Sequence, residues 1–204
     1  MRIGSIAVVV SMLAIGGCSE SASPTAPGSI SVPVTVSSAA PSGAPHNHRT
    51  HLTGDEEVPA RETRAQGQAI FQVSRDGNSM TFRLIAANIE NITQAHIHCG
   101  AAGTNGPVTV WLYPSVTATA ALPGGAGRHD GVLAEGTIVR GASLHVRPVA
   151  DSATCPGGIT TFDDVLAKIR AGYAYVNVHT SDGVDPPNTG PGDFPGGEVR
   201  GQIK

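Results

Sequence analysis

The sequence of 204 residues is poor in charged and aromatic side chains, which make up 14% and 4% of it. Its net charge is -3, and it contains no run of lysine and arginine. A nucleic-acid-binding protein needs a basic patch to neutralise phosphates, so we exclude that class. Sugar sites usually stack aromatic rings on the ligand. The only tryptophan and tyrosines are Trp111, Tyr113, Tyr173 and Tyr175, so a glycan site is disfavoured.

The chain also lacks the short motifs of the common enzyme classes. It has no Gly-x-Ser-x-Gly elbow, no phosphate-binding loop and no dinucleotide fingerprint. It shows no pair of carboxylates in a catalytic context either. These motifs carry the nucleophile or the phosphate cradle of hydrolases and nucleotide enzymes. We therefore predict that the protein is not an enzyme.

The beginning of the chain has the pattern of an export signal. Met1-Arg2 precedes an apolar run over residues 3–15, which is too short to span a membrane. The tetrad Ile15-Gly16-Gly17-Cys18 resembles the lipobox of bacterial lipoproteins, which implies that Cys18 is lipidated and becomes the first mature residue. The alternative is an ordinary signal peptide with a chance cysteine. We predict a signal segment over residues 1–18, a membrane anchor at Cys18 and an extracytoplasmic location.

The next segment, residues 19–49, separates the anchor from the domain. It consists mainly of Ser, Ala, Pro, Gly, Thr and Val. Such a composition cannot bury enough apolar surface to offset its chain entropy. We predict a flexible stalk here, followed by a single domain over residues 50–204.

With Cys18 assigned to lipid, two cysteines remain, Cys99 and Cys155. An even pair in an exported protein predicts a disulfide, because the compartment is oxidising. The alternative is that Cys99 ligates a metal together with His96 and His98.

Most of the domain has the alternating pattern of β-strands. We predict a hairpin over residues 69–86 with its turn at Arg75-Asp76-Gly77-Asn78. Further strands are predicted over 92–98, 107–113, 132–139, 143–146, 173–179 and 198–203. One short helix should follow Thr161, with Phe162, Val165, Leu166 and Ile169 as its apolar stripe. The fold class is therefore all-β: an antiparallel β-sandwich or barrel with one short helix and one disulfide.

Several segments occur together in an order that resembles the CHRD (chordin) domain. They are residues 52–59, Gly67, and residues 95–100, 105–112, 173–180 and 196–203. The resemblance covers essentially the whole mature domain. Two departures are Ala60, where the family often has a second proline, and the long loop over 181–195. Because this domain occurs in chordin, an extracellular antagonist of growth factors, the resemblance implies an extracytoplasmic module that binds a protein or glycan partner.

Three histidines are candidates for a metal site. Side chains alternate along a strand, so His96 and His98 share one face of their strand, and Asn177 and His179 share one face of another. If the two strands are neighbours, three imidazoles meet, and neutral imidazole binds copper or zinc. Outside the ligands, we predict supporting roles for Asn177, Glu198 and Arg200.

Other interpretations of these residues stay open. The histidines could simply accept and donate hydrogen bonds within the sheet, and Glu198 could form an ion pair with Arg200. A histidine cluster on a β-sandwich is also similar to Cu/Zn superoxide dismutase, which makes a metal-dependent redox enzyme an alternative function. A binding module without metal is the third.

The remaining histidines and the loop acids are weaker candidates. We expect His46, His48 and His51 to be solvated in the flexible junction, and His129 and His145 to be isolated. Asp182, Asp185 and Asp193 could offer oxygen atoms to calcium, but their spacing lacks the EF-hand pattern, so we expect a solvated loop.

Overall fold

The computed structural model describes residues 47–204. The predicted signal segment, Cys18, His46 and most of the predicted stalk lie outside the described residues. Strands run over Asn47–Thr53 (β1), Gln66–Val73 (β2), Ser79–Glu90 (β3), Ile92–Cys99 (β4), Val108–Tyr113 (β5), Arg128–Val139 (β6), Ala174–Thr180 (β7) and Val199–Gln202 (β8). One α-helix, α1, runs over Phe162–Arg170, and a short 3-10 turn covers Gly54–Glu56.

All the strands form one antiparallel sheet in the order β5-β4-β7-β8-β1-β2-β3-β6. The first and last strands of this order, β5 and β6, lie close to each other, so the sheet curls into a nearly closed barrel. The all-β prediction is confirmed, with the barrel-like form of its two alternatives. The central strands β4, β7 and β8 lie side by side, although β4 and β7 are far apart in the sequence.

The β2–β3 hairpin shows how local sequence produces these strands. Val73 pairs with Met80, and alternate residues of β2 are buried. The turn is closed by the Gly77 N–H, which donates to the Ser74 carbonyl, and Gly77 adopts a φ of 69°, which favours glycine. The predicted hairpin and its turn are therefore confirmed.

Helix α1 is also confirmed. The Thr161 hydroxyl accepts from the Asp164 N–H while the Asp164 carboxylate accepts from the Thr161 N–H, which is a capping box. The predicted stripe Phe162, Val165, Leu166 and Ile169 is buried against the barrel. Within residues 47–204, no helix has the length and apolar character needed to cross a membrane.

Cys99 and Cys155 form the predicted disulfide, with Cα atoms 5.4 Å apart. The bridge ties the end of β4 to the segment that precedes α1. Both cysteines are fully buried in the apolar core. Because the Cys99 sulfur is bonded to Cys155, the alternative role of Cys99 as a metal ligand is wrong.

Several predicted boundaries differ from the structure, and β6, for example, begins at Arg128 rather than at residue 132. Residues 143–146 form a turn rather than a strand, and Leu144 adopts a left-handed φ of 71°. A turn that contains a left-handed residue cannot continue a β-ladder. At the other end of the domain, β1 begins at Asn47, so residues 47–49 belong to the sheet and not to the stalk.

Candidate metal centre

The strands β4 and β7 are buried on both faces. Their apolar residues Ala95, Ile97, Val176 and Val178 face the barrel core and are completely buried. The alternate residues point to the outside of the sheet, where His96 and His179 are nevertheless only 2% and 6% exposed. Loops cover this outer face. The domain therefore has a second buried layer, which is polar.

The sheet register brings the three predicted histidines together. His96 pairs with Asn177, and His98 pairs with Tyr175, so His179 lies diagonally next to His96. The His96 Nδ1 and His179 Nε2 atoms are 3.2 Å apart. One ring nitrogen from each of the three histidines lies within 4.8 Å of the other two. Three imidazoles from two separated segments thus share one buried cluster, which we call the histidine cluster.

Backbone carbonyls determine the tautomers of two of these rings. The His98 Nδ1 atom is 2.8 Å from the Gly106 carbonyl, and the His179 Nδ1 atom is 2.8 Å from the Pro195 carbonyl. A carbonyl only accepts, so each Nδ1 must carry the proton and each Nε2 is left with a lone pair. A hydrogen bond of this kind is also what orients most metal-binding histidines.

Two ring nitrogens of the histidine cluster have no hydrogen-bond partner among residues 47–204. They are the Nε2 atoms of His96 and His98, and both are buried. A buried polar atom without a partner costs about 1–3 kcal/mol. The His98 Nε2 atom is therefore a donor that a bound ion would satisfy, whereas His96 would bind the same ion through Nδ1, the nitrogen that lies beside His179 Nε2.

Burial keeps the imidazoles neutral. Burial first, and then the neighbouring His179, His98 and Arg147, lower the pKa of His96 to about 2. Burial lowers the pKa of His98 to about 4, although the bond to the Gly106 carbonyl acts in the opposite direction. The pKa of His179 is also lowered by burial, against the effect of the Pro195 carbonyl. Neutral imidazole is the form that binds metals, so the cluster is ready for an ion at neutral pH.

Two of the histidines each contact an aromatic side chain, which in turn contacts an arginine. Trp111 meets His96 edge-on with ring centroids 4.3 Å apart, and the Arg147 guanidinium lies 4.9 Å from the Trp111 ring. Tyr175 stacks on His98 at 4.8 Å, and the Arg200 guanidinium lies 3.4 Å from the Tyr175 ring. These stacks restrict the rotation of both imidazoles.

Arg200 bonds to a loop and does not form the ion pair with Glu198 that was the alternative interpretation. Its guanidinium is almost fully buried and donates to Asn105 Oδ1 at 3.1 Å and to the carbonyls of Ala101 and Thr104 at 3.1 and 2.9 Å. These bonds hold the loop over residues 100–107, which supplies the Gly106 carbonyl to His98. Arg200 is thus bonded to the loop whose Gly106 carbonyl contacts the His98 ring.

The Glu198 carboxylate forms its hydrogen bonds outside the histidine cluster. It accepts from the hydroxyls of Thr63 and Thr180 at 2.6 and 2.7 Å and from the Gly192 N–H at 2.9 Å. Among the described residues it forms no ion pair with Arg200. The alternative of a Glu198–Arg200 ion pair is therefore wrong, and Glu198 instead anchors the loop over 181–198.

Asn177 adjoins a buried acid that the sequence did not reveal. Glu57 is 6% exposed, and burial raises its pKa to about 7, although Arg200, Arg61 and Asn177 act to lower it. Gly197 makes the room for it, because a Cβ atom there would lie 2.3 Å from the Glu57 carboxylate. The neighbouring Glu56 is exposed, and nothing in the local pattern separates the two glutamates.

The other predicted candidates do not join this cluster. Among residues 47–204, His96, His98 and His179 are the one group of histidine, cysteine and acidic side chains that converges closely enough to hold an ion. His48 is 4% exposed, so its expected solvation is wrong, because β1 places it on the inner side of the sheet, while His51 is exposed. Asp193 accepts from the Thr189 N–H and hydroxyl at 3.0 and 2.9 Å, which closes a loop turn.

Comparison with known proteins gives one match. The family model described as the CHRD domain matches residues 48–203, a range that includes the whole histidine cluster. No curated protein and no solved structure matches the chain.

Proposed function

The chain belongs to the CHRD family, and we propose that it is an exported, lipid-anchored and non-enzymatic binding protein with a transition-metal site at His96, His98 and His179. CHRD domains are binding-type domains. Copper and zinc are the ions that suit a set of neutral imidazoles. The proposal places the domain outside the cytoplasm, tethered to a membrane through Cys18.

The observation that carries the metal proposal is the convergence of neutral, oriented imidazoles with buried donor atoms. An ion held about 2.0–2.1 Å from each nitrogen puts two ligand nitrogens roughly 3–4 Å apart. The 3.2 Å separation of His96 Nδ1 and His179 Nε2 fits this range. The widest separation within the cluster, 4.8 Å, requires the rings to approach each other by roughly 1 Å.

Metal titration tests the proposal, and the chain supplies its own reporter. Trp111 is the only tryptophan, and its ring lies 4.3 Å from the His96 ring. We expect one equivalent of copper to change the tryptophan fluorescence with a dissociation constant below roughly micromolar. Calorimetry should give the same stoichiometry for copper or zinc.

The variants His96→Ala and His179→Ala should each weaken this binding at least about tenfold. The matched control is His51→Ala, which removes an exposed histidine of β1 and should bind like the wild type. If neither metal binds, or if the cluster variants bind as well as the control, a metal-free module for an extracellular protein or glycan would replace the proposal. A superoxide-dismutase-like activity is supported by no observation of the site.

The anchor has its own test. We expect the full chain to fractionate with membranes and to incorporate labelled fatty acid, and Cys18→Ser to abolish both. One acyl chain alone holds a protein only weakly, whereas two give a stable anchor. Unlabelled protein that remains with the soluble exported fraction would contradict the lipid anchor and leave the metal proposal unaffected.

A further inference from the structure

The surroundings of the histidine cluster are electropositive. The Arg147 guanidinium lies 4.9 Å from the Trp111 ring, behind His96, and the Arg200 guanidinium lies 3.4 Å from the Tyr175 ring, behind His98. No acidic side chain of residues 47–204 joins the three histidines. A metal ion that enters the cluster is therefore repelled by these two arginines. The repulsion is strong because the site is buried.

Glu57, a buried acid beside this layer, does little to offset that charge. Glu57 adjoins Asn177 and Arg200, and its pKa is raised to about 7. At neutral pH the carboxyl is therefore only about half ionised. It also faces two guanidinium groups, those of Arg200 and Arg61, so a net positive charge remains beside it.

The number of ligands points in the same direction as the charge. Three nitrogens converge, and no fourth histidine, cysteine or acidic side chain of residues 47–204 joins them. The ligands are only 2–7% exposed. Zinc bound by three histidines takes a water as its fourth ligand, which the burial of these side chains disfavours, and cupric ion prefers tetragonal surroundings. A buried set of three nitrogens instead suits an ion that accepts three-coordination.

On this basis, and resting on the proposed metal-binding function, we propose that the histidine cluster selects monovalent copper over divalent copper and zinc. Monovalent copper carries half the charge of the divalent ions and is stable with three ligands. Three neutral imidazoles backed by two guanidinium groups match that ion.

The test compares three ions on the full chain. The chain carries Cys18→Ser, because a free thiol would itself bind monovalent copper. Monovalent copper is titrated without oxygen against a chromogenic chelator, and divalent copper and zinc are titrated by Trp111 fluorescence and calorimetry. We expect monovalent copper to bind at least about 100-fold more tightly than either divalent ion.

The outcomes separate this inference from the function on which it rests. Binding of divalent copper or zinc with equal or higher affinity overturns the selectivity and leaves the metal site standing. Failure of all three ions to bind overturns both. Binding of monovalent copper that survives His96→Ala together with His179→Ala assigns the copper to another site and also overturns the inference.

A charge variant tests the cause. Arg147→Met removes the guanidinium behind Trp111 and should reduce the preference for monovalent over divalent copper at least about threefold. Arg147→Lys retains the charge and should retain the preference. Arg83→Met is the matched control, because Arg83 is an exposed arginine paired with Glu135. An unchanged ratio in Arg147→Met would contradict the electrostatic explanation.

Discussion

At the scale of single residues, desolvation decides the chemistry of the histidine cluster. The Gly106 carbonyl alone would raise the pKa of His98, but burial outweighs it and the pKa falls to about 4. That shift corresponds to a preference for the neutral form on the order of 3 kcal/mol. The same carbonyl still matters, because it selects the tautomer. Burial therefore controls the charge of the ring, and the hydrogen bond controls which nitrogen is free.

The lowered pKa values predict acid sensitivity of the metal-free protein. Histidines of the unfolded chain become protonated below about pH 6.5. His98 in the folded chain, with a pKa of about 4, stays neutral until the pH falls to that value. The unfolded state binds more protons in this window, so the free energy of unfolding should fall on acidification. The slope is up to about 1.4 kcal/mol per pH unit for each such histidine. Urea unfolding at several pH values measures it.

Glu57 acts with the opposite sign and provides the control. Its pKa is raised to about 7, so its contribution to stability is present below its unfolded pKa and is lost as the pH rises through about 7. Glu57→Gln should therefore make the loss of stability on acidification steeper, and His98→Gln should make it shallower. Parallel pH profiles for both variants and the wild type would refute this account.

At the scale of elements, loops cover the outer face of the sheet and bury the side chains on it. The loop over 100–107 brings the Gly106 carbonyl to His98, and the loop over 181–198 brings the Pro195 carbonyl to His179. Gly106 must be glycine, because a Cβ atom there would lie 1.8 Å from the Cys99 carbonyl oxygen. The strands set the spacing of the imidazoles, and the loops set their burial and orientation.

Arg200→Lys tests the role of the first loop. Lysine keeps the charge but cannot form the forked hydrogen bonds to Asn105 and the carbonyls of Ala101 and Thr104. The loop should loosen, and metal affinity should fall about 10-fold or more, as for other residues that orient metal ligands. Arg83→Lys on the exposed surface should change nothing. Equal affinities in the two variants would show that the loop does not position His98.

At the scale of the whole molecule, one barrel and one disulfide hold the site. The sheet carries the apolar core inside and the histidine cluster outside. The disulfide closes a loop with a sequence separation of 56 residues, between the end of β4 and the segment before α1. It lies on the core side of the sheet. It therefore stabilises β4, the strand that bears His96 and His98, without entering the cluster.

Replacing both cysteines with alanine separates stability from binding. In the chain-entropy model a loop of this length contributes about 4 kcal/mol, so Cys99→Ala with Cys155→Ala should lower the free energy of unfolding by about that amount. Metal stoichiometry should not change at temperatures where the variant remains folded, because the sulfur atoms are not ligands. Loss of the bound ion from the folded variant would show that the bridge is needed for the site.

Local patterns determined much of this fold. The alternation along residues 69–86, the turn at Gly77 and the capped helix after Thr161 all depend on neighbours in the sequence, and all were predictable. The parity that puts His96 with His98 is local in the same way. The turn over residues 143–146 and strand β1 were missed. The turn is closed by local backbone bonds, such as the one from the His145 N–H to the Ala142 carbonyl, which the apolar pattern does not show, whereas burial of the polar His48 depends on the pairing of β1 with the distant β2.

The amino-acid sequence by itself determined most of the strands, the cysteine pair and the parity that puts His96 and His98 on one face. Only the tertiary structure decided that β4 lies beside β7, that loops bury the outer face, and that Glu57 is an interior acid while Glu56 is not. Side-chain direction follows from the backbone within a few residues. Which strands lie side by side, and which side chains are buried, depends on segments far apart in the chain. No local pattern therefore predicts either.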